Sequence, residues 1–276
     1  MDQLHEKQEK LKAYLADLGS LAVAFSGGVD STYLVKVAHD VLGDQCIALT
    51  SVSEVNPAWE MAEAKAFCER EDIRQIVVHP PVLQDSAFQR NDKDRCYDCK
   101  KLIFSTLQGV AADHGIIHLA EGSNMDDNSD YRPGHRAIEE LQVLSPLRTC
   151  ELYKSEIREL SKELDLPTWS KPSFACLASR IPYGEAITAE KLKTVEQAEL
   201  VLKELGFANF RVRLHGGNLA RIEVAKADFP RLMTPEVSDH INDALHDLGI
   251  QYVTLDLAGY RVGSLNLVLS EEDLKA

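Results

Sequence analysis

No apolar stretch in this sequence approaches the roughly 20 residues that a membrane-spanning helix requires. A basic surplus is missing too: 30 Lys+Arg stand against 44 Asp+Glu, a formal net charge of −14. From Glu185 to the end there are 10 Lys+Arg and 15 Asp+Glu, which gives −5 there and −9 in the remainder. Nucleic-acid binders displace phosphate counterions with a positive footprint, and neither part offers one. A small-molecule substrate is therefore favoured over a nucleic acid. Internal repeats and low-complexity segments are absent. The opening MDQLHEKQEKLKAYLADLGS is charged and helix-patterned and lacks the apolar core of a secretory signal. The expected location is cytoplasmic, with no membrane association.

What is present is ordinary for a globular protein, with 45% hydrophobic and 27% charged residues. The 276 residues suffice for one large domain or two ordinary ones. Six cysteines, Cys46, Cys68, Cys96, Cys99, Cys150 and Cys176, do not predict a disulfide framework in a reducing compartment. Clustered cysteines there point to metal binding or catalysis. Cys46, inside the run CIALT, and Cys68, inside a patterned helix, read as core residues, because a free thiol buries like a small hydrophobe. Cys150 beside a strand end reads as structural.

After the opening helix, LAVAFS (21–26) is a buried strand ending in Gly27-Gly28, followed by a helix over about 30–42. CIALTS (46–51), a helix over 57–71, IRQIVVH (73–79), a helix over 97–113 and IIHLAEG (116–122) continue the alternation. A short run, LQVLSPL (141–147), precedes a helix beginning near Lys154. Strands alternating with helices predict βαβ units and an α/β fold with a doubly wound parallel sheet. The character changes after Tyr183-Gly184. A helix over 188–205, strands FRVRLHG and LARIEVA, a helical stretch over 228–248 and YVTLDLAG predict a second, smaller α+β domain with antiparallel pairing. Gly216-Gly217 is the hairpin signal between its first two strands. The expected domains are 1–184 and 185–276.

Ser26-Gly27-Gly28-Val29-Asp30-Ser31 lies where the first buried strand turns into a helix. Glycines there let a ligand approach the backbone, and amides at a helix start attract anions. Ser26 and Ser31 add hydroxyl donors, and Asp30 is suited to a magnesium ion bridging phosphates. No lysine follows the glycines, so this is not the P-loop of kinases and GTPases. An ordinary tight turn is the plainer alternative.

SGGVDS resembles the pyrophosphate-binding motif of the PP-loop ATPase superfamily, whose fold is adenine nucleotide alpha hydrolase-like. That resemblance implies that ATP is split between its α and β phosphates, leaving an adenylated substrate and pyrophosphate. Gly122-Ser123-Asn124-Met125-Asp126-Asp127 after a strand, and SPLRTCELYKSEIRELSKELDLP (145–167) with Lys154 before a helix, resemble the superfamily's synthetases. Gly122, Asn124 and Lys154 thus join the expected nucleotide site, although Lys154 also reads as a solvated first-turn residue.

With KPSFACLASRIPYG (171–184), EGSNMDDNSDYRPG, FRVRLH and YVTLDLAGYRVG, the resemblance sharpens to the LarE family and spans about residues 20–265. Those sulfur transferases adenylate a carboxylate of a pyridinium dicarboxylate mononucleotide and replace it with a thiocarboxylate, in nickel-pincer nucleotide cofactor biosynthesis. In one subgroup a cysteine at the place of Cys176 surrenders its own sulfur and becomes dehydroalanine. In the other, three cysteines hold a four-iron four-sulfur (4Fe-4S) cluster. The CYDC run makes this sequence similar to the second, with Cys96, Cys99 and Cys176 as ligands. Spacing alone leaves the CxxC pair open as a zinc half-site, a redox pair or a coincidence.

On the substrate side, Arg211 and Arg213 alternate along one strand and point the same way, which suits a phosphate-bearing nucleotide. The resemblance also implies that Glu199, Arg211 and Asp228 belong to a phosphate or metal site; a solvated strand face with salt bridges is the plainer alternative for each of these residues. Arg180 and Arg132 are further substrate candidates, Arg132 with the alternative of anchoring its turn. A homo-oligomer and handover to other enzymes of the pathway are expected. A tRNA-thiolating enzyme and a nucleotide-sensing module are the competing readings; the acidic charge speaks against the first and the intact SGGVDS against the second.

Overall fold

A computed structural model of the chain describes residues 3–129, 134–172, 175–261 and 263–270. Along the chain run α1 (Gln3–Leu18), β1 (Leu21–Ala24), α2 (Val29–Leu42), β2 (Cys46–Ser51), α3 (Ala58–Arg70), β3 (Gln75–Val78), α4 (Ser86–Gln89) and α5 (Arg95–Asp113). Then follow β4 (Leu119–Ala120), α6 (Gly134–Glu140), α7 (Pro146–Thr149) and α8 (Lys154–Glu163). The remaining elements are α9 (Ala189–Glu204), β5 (Phe210–His215), β6 (Leu219–Val224), α10 (Phe229–Leu232), α11 (Pro235–Asp247) and β7 (Tyr252–Leu255). Two compact units result, one from 1–82 with 96–174, the other from 83–95 with 175–276.

In the first unit four parallel strands lie in the order β3-β2-β1-β4. Successive side chains of a strand face opposite sides, and both sides of β1 are apolar, which is what a two-sided cover demands. Leu21 and Val23 join Leu11 and Leu15 of α1, Tyr33 and Val37 of α2, Phe67 of α3 and Ile157 of α8 in one core. Ala22 joins Ile47, Leu49, Phe104 and Leu107 of α5 and Ile138 of α6 in the other. The sheet is thus doubly wound, an α/β architecture. The predicted strand at 141–147 reduces to one parallel bridge, Leu144 with Ala120, because Pro146 starts α7 there.

The second unit holds a three-stranded sheet, β5-β6-β7. β5 and β6 form the expected hairpin through Gly216 and Gly217, whose φ values of 58° and 80° suit glycine. β7 pairs parallel to β6, so the sheet is mixed rather than antiparallel throughout. α10 and α11 form the crossover that a parallel return needs. The helical stretch expected at 228–248 is interrupted before Pro235, which begins α11.

By compactness the first unit ends at 174, and the segment Leu83–Arg95 belongs with the later part. Asn91 explains this locally. Its side-chain amide donates to the carbonyls of Ile181 (3.2 Å), Pro182 (2.7 Å) and Glu185 (2.9 Å). Arg95 donates to Asn91 Oδ1 and to the Ala178 carbonyl (3.2 Å) and stacks on Tyr183. No helix among the described residues is long and apolar enough to cross a membrane.

Candidate active site

In open α/β sheets ligands bind beyond the carboxyl ends of the strands, where strand order reverses. Here that point lies between β1 and β4, and both are followed by the motifs singled out above. Gly27 has φ 72°, and a Cβ there would stand 3.0 Å from Ala64 Cβ of α3. Any side chain would therefore be strained and crowded together. Ser31 Oγ accepts from the Ser26 amide (3.3 Å), donates to the Gly28 carbonyl (3.2 Å) and lies 3.1 Å from Ser26 Oγ. These bonds fold Ser26–Ser31 into a closed turn at the start of α2.

The loop after β4 meets this turn directly. A Cβ on Gly122 would stand 3.0 Å from the Ser31 amide nitrogen and 3.2 Å from Asp30 Cβ, so a side chain there would push the loop and the turn apart. Glu121, buried at the end of β4, accepts from the Ser123 amide (3.0 Å), Ser123 Oγ (2.8 Å) and Ser145 Oγ (2.6 Å), which fixes the turn. Asn124 Nδ2 donates to Asp30 Oδ1 at 3.4 Å. Lys154, the first residue of α8, makes an ion pair with Asp30 through Nζ, while its amide donates to Asp126 Oδ2 at 2.7 Å. Ser26, Gly27, Gly28, Asp30, Ser31, Gly122, Asn124 and Lys154 thus lie in one cluster. Burial raises the Asp30 carboxyl above its ordinary range; Lys154 opposes this and Asp127 adds to it. Lys171 carries no signal of its own in the sequence, yet its Nζ donates to the Gly27 carbonyl at 3.1 Å.

Three cysteines are core residues. Cys46 and Cys68 are buried and their thiols pushed up to about 12 by burial; Cys150 is buried and raised likewise. The other three differ: Cys96 and Cys176 are exposed and Cys99 half-buried. Cys96 and Cys99 lie in the first turn of α5, and Tyr97 between them is turned onto α6. Its hydroxyl donates to Glu140 (2.7 Å) and accepts from Lys101 (2.7 Å), and Arg136 stacks on its ring. Within neither unit do three His, Cys, Asp or Glu side chains gather as for a metal ion, among the described residues. Cys96 and Cys99 belong to the first unit and Cys176 to the second.

In the second unit Arg180 and Glu199 are both wholly buried and form a two-pronged ion pair, Nε–Oε1 2.7 Å and Nη2–Oε2 2.8 Å. Arg180 Nη1 donates to the carbonyls of Ala175 (2.5 Å) and Cys176 (3.0 Å) and to Ser179 Oγ (2.9 Å). Glu199 also accepts the Val212 amide at 3.0 Å. Arg213 is held by Glu223, Ser264 and the Ser179 carbonyl. The geometry makes Arg180, Glu199 and Arg213 a buried frame behind the Cys176 loop. Arg211 differs: its guanidinium stacks on Tyr260 at 5.0 Å, and burial lowers it to about 10, aided by the charge of Arg180. Asp228 is half-exposed before α10. Arg132 lies outside the described residues.

No family model matches the chain. A pyridinium-3,5-bisthiocarboxylic acid mononucleotide synthase from Lactiplantibacillus plantarum is 36% identical over 275 residues, 99% of each chain. An uncharacterised protein from Synechocystis is 40% identical over 268 residues, 97% of this chain and 100% of its own. One chain of a glutamine-hydrolysing GMP synthase from Methanocaldococcus jannaschii is 28% identical over 218 residues, 73% of this chain and 68% of its own.

Proposed function

The chain belongs to the LarE family of pyridinium-3,5-bisthiocarboxylic acid mononucleotide synthases, within the PP-loop ATPases, and from that premise we propose that it is an ATP-dependent sulfurtransferase. Its substrate is a pyridinium dicarboxylate mononucleotide, one carboxylate of which becomes a thiocarboxylate. The observation that carries the reading is the closed Ser26–Ser31 turn, with Gly122 against it and Asp30 beside it.

The amides and hydroxyls of the turn hold the β and γ phosphates. A carboxylate oxygen of the substrate attacks the α-phosphorus, the bond to the β-phosphate oxygen breaks, and pyrophosphate leaves. A sulfur nucleophile then attacks the acyl carbon, and AMP departs with the electrons of the C–O bond. Asp30 would hold magnesium: its carboxylate lies in the field of Asp127, and a divalent ion answers both charges. Bound magnesium would neutralise the phosphate oxygens.

Cys96, Cys99 and Cys176 are the residues that would hold a 4Fe-4S cluster, which supplies sulfide when bound. Support comes from accessibility, since the remaining thiols are buried. The reading requires Cys176 to join the pair on α5. Arg132, Arg180, Glu199, Arg211, Arg213 and Asp228 are the substrate-side residues of this reading; homo-oligomerisation, a cytoplasmic location and handover within the pathway belong to it too.

Anaerobically purified protein should be brown, with about four irons per chain, and should release pyrophosphate with the dicarboxylate substrate. The chain mass, measured before and after one turnover, should stay constant. Colourless protein that loses the mass of hydrogen sulfide from Cys176 would replace the cluster with sacrificial donation, in which the Cβ–Sγ bond breaks and the Cα proton leaves. No pyrophosphate release would end the adenylation reading.

A further inference from the structure

One part-buried cation lies behind the glycine turn and has no part in the chemistry above. Lys171 Nζ sits 3.1 Å from the Gly27 carbonyl, 2.9 Å from Glu63 and 3.6 Å from Glu60, with only 13% of its side chain exposed. Its own carbonyl accepts from Arg158 at 2.9 Å, and Arg158 also holds the Trp169 carbonyl at 2.6 Å. Arg158 stands one turn beyond Lys154 on α8, so the helix that supplies the partner of Asp30 also anchors Lys171.

The carbonyl of Gly27 and the amide of Gly28 are two ends of one planar trans peptide, and they point to opposite sides. A cation on the carbonyl therefore aims the Gly28 N–H away from α3 and polarises it as a donor. Gly27 has the left-handed φ that leaves this peptide without the restraint of a Cβ. The two carboxylates of α3 keep the ammonium behind the turn.

We propose that Lys171 is a positioning residue: it holds the Gly27–Gly28 peptide so that the Gly28 N–H is presented to the pyrophosphate portion of a nucleoside triphosphate. The inference rests on the reading of Ser26–Ser31 as the pyrophosphate site. Lys171 touches the turn, not the phosphates.

The test compares ATP and AMP binding to full-length protein by calorimetry, wild type against Lys171→Met. Loss of one charge-assisted hydrogen bond predicts that ATP binding weakens about tenfold while AMP, which lacks the pyrophosphate, binds as before. A purely structural lysine would weaken both alike, and an unchanged ATP-to-AMP ratio overturns the assignment. If Lys171→Met does not fold, Glu63→Gln decides: its carboxylate is half-exposed, and the ratio should fall about threefold as the ammonium loses a restraint. An unchanged ratio there overturns the role as well. A wild-type protein that binds ATP no better than AMP would refute the pyrophosphate site itself, and Lys171 with it.

Discussion

Replacing Glu199 by glutamine removes one charge from an ion pair with no solvent exposure on either side. Breaking such a pair from one end leaves an uncompensated buried guanidinium and costs about 3–5 kcal/mol. The Val212 amide would also share a weaker acceptor. At roughly 3 °C per kcal/mol the loss should lower the melting temperature by about 10–15 °C. Calorimetry reads it, together with Arg180→Met and the double variant. The two singles should not add, because in the double variant no buried charge is stranded; the coupling should reach about 3 kcal/mol. Stability and activity should then separate. With Arg180 gone, the carbonyls of Ala175 and Cys176 lose their donor, so the double variant should still form pyrophosphate but transfer sulfur poorly. Additive singles would refute the buried pair, and full sulfur transfer by the double variant would refute the grip on the Cys176 loop.

Two further outcomes concern the first unit and the thiols. Asp30→Asn should abolish stabilisation by magnesium and ATP in a thermal-shift assay. Because burial raises the Asp30 carboxyl, its contribution to stability is complete below its ordinary range and is lost as pH rises through the raised value. Ligand-free Asp30→Asn should thus melt no lower than wild type at pH 7, with the difference shrinking towards pH 4, provided that the half-exposed Lys154 finds water. A large loss of stability at pH 7 would contradict this. Thiol titration of iron-free native protein at pH 8 should give fast reaction at Cys96, Cys99 and Cys176 only. Cys46 and Cys68, pushed up to about 12, should react only on unfolding; fast labelling of either would refute the core placement.

The glycine turn after β1 was legible from contiguous residues. A strand, two glycines and a helix start define a backbone path that needs no distant partner, and Gly27 adopts a positive φ within it. The doubly wound sheet was legible for a related reason: LAVA and CIAL are apolar on both faces, which only a two-sided cover explains. Sorting the cysteines by their apolar neighbours likewise put Cys46 and Cys68 in the core.

Pairings between remote residues were not legible. That Arg180 and Glu199 meet as a buried pair was not legible, because a sequence shows charges without showing which of them face each other in the interior. Lys171 opens the segment that carries Cys176, yet its contact with Gly27 spans most of the first unit. Glu121 stood directly before Gly122, and a lone carboxylate ending an apolar strand was the one signal that could have marked it. The attachment of Leu83–Arg95 to the later unit hangs on Asn91 reaching three carbonyls some ninety residues away. Periodicity and turn chemistry are local properties of the chain, and the sequence alone determines them. Which charges meet, and which carbonyl a lysine holds, is decided only when tertiary packing removes water from between them.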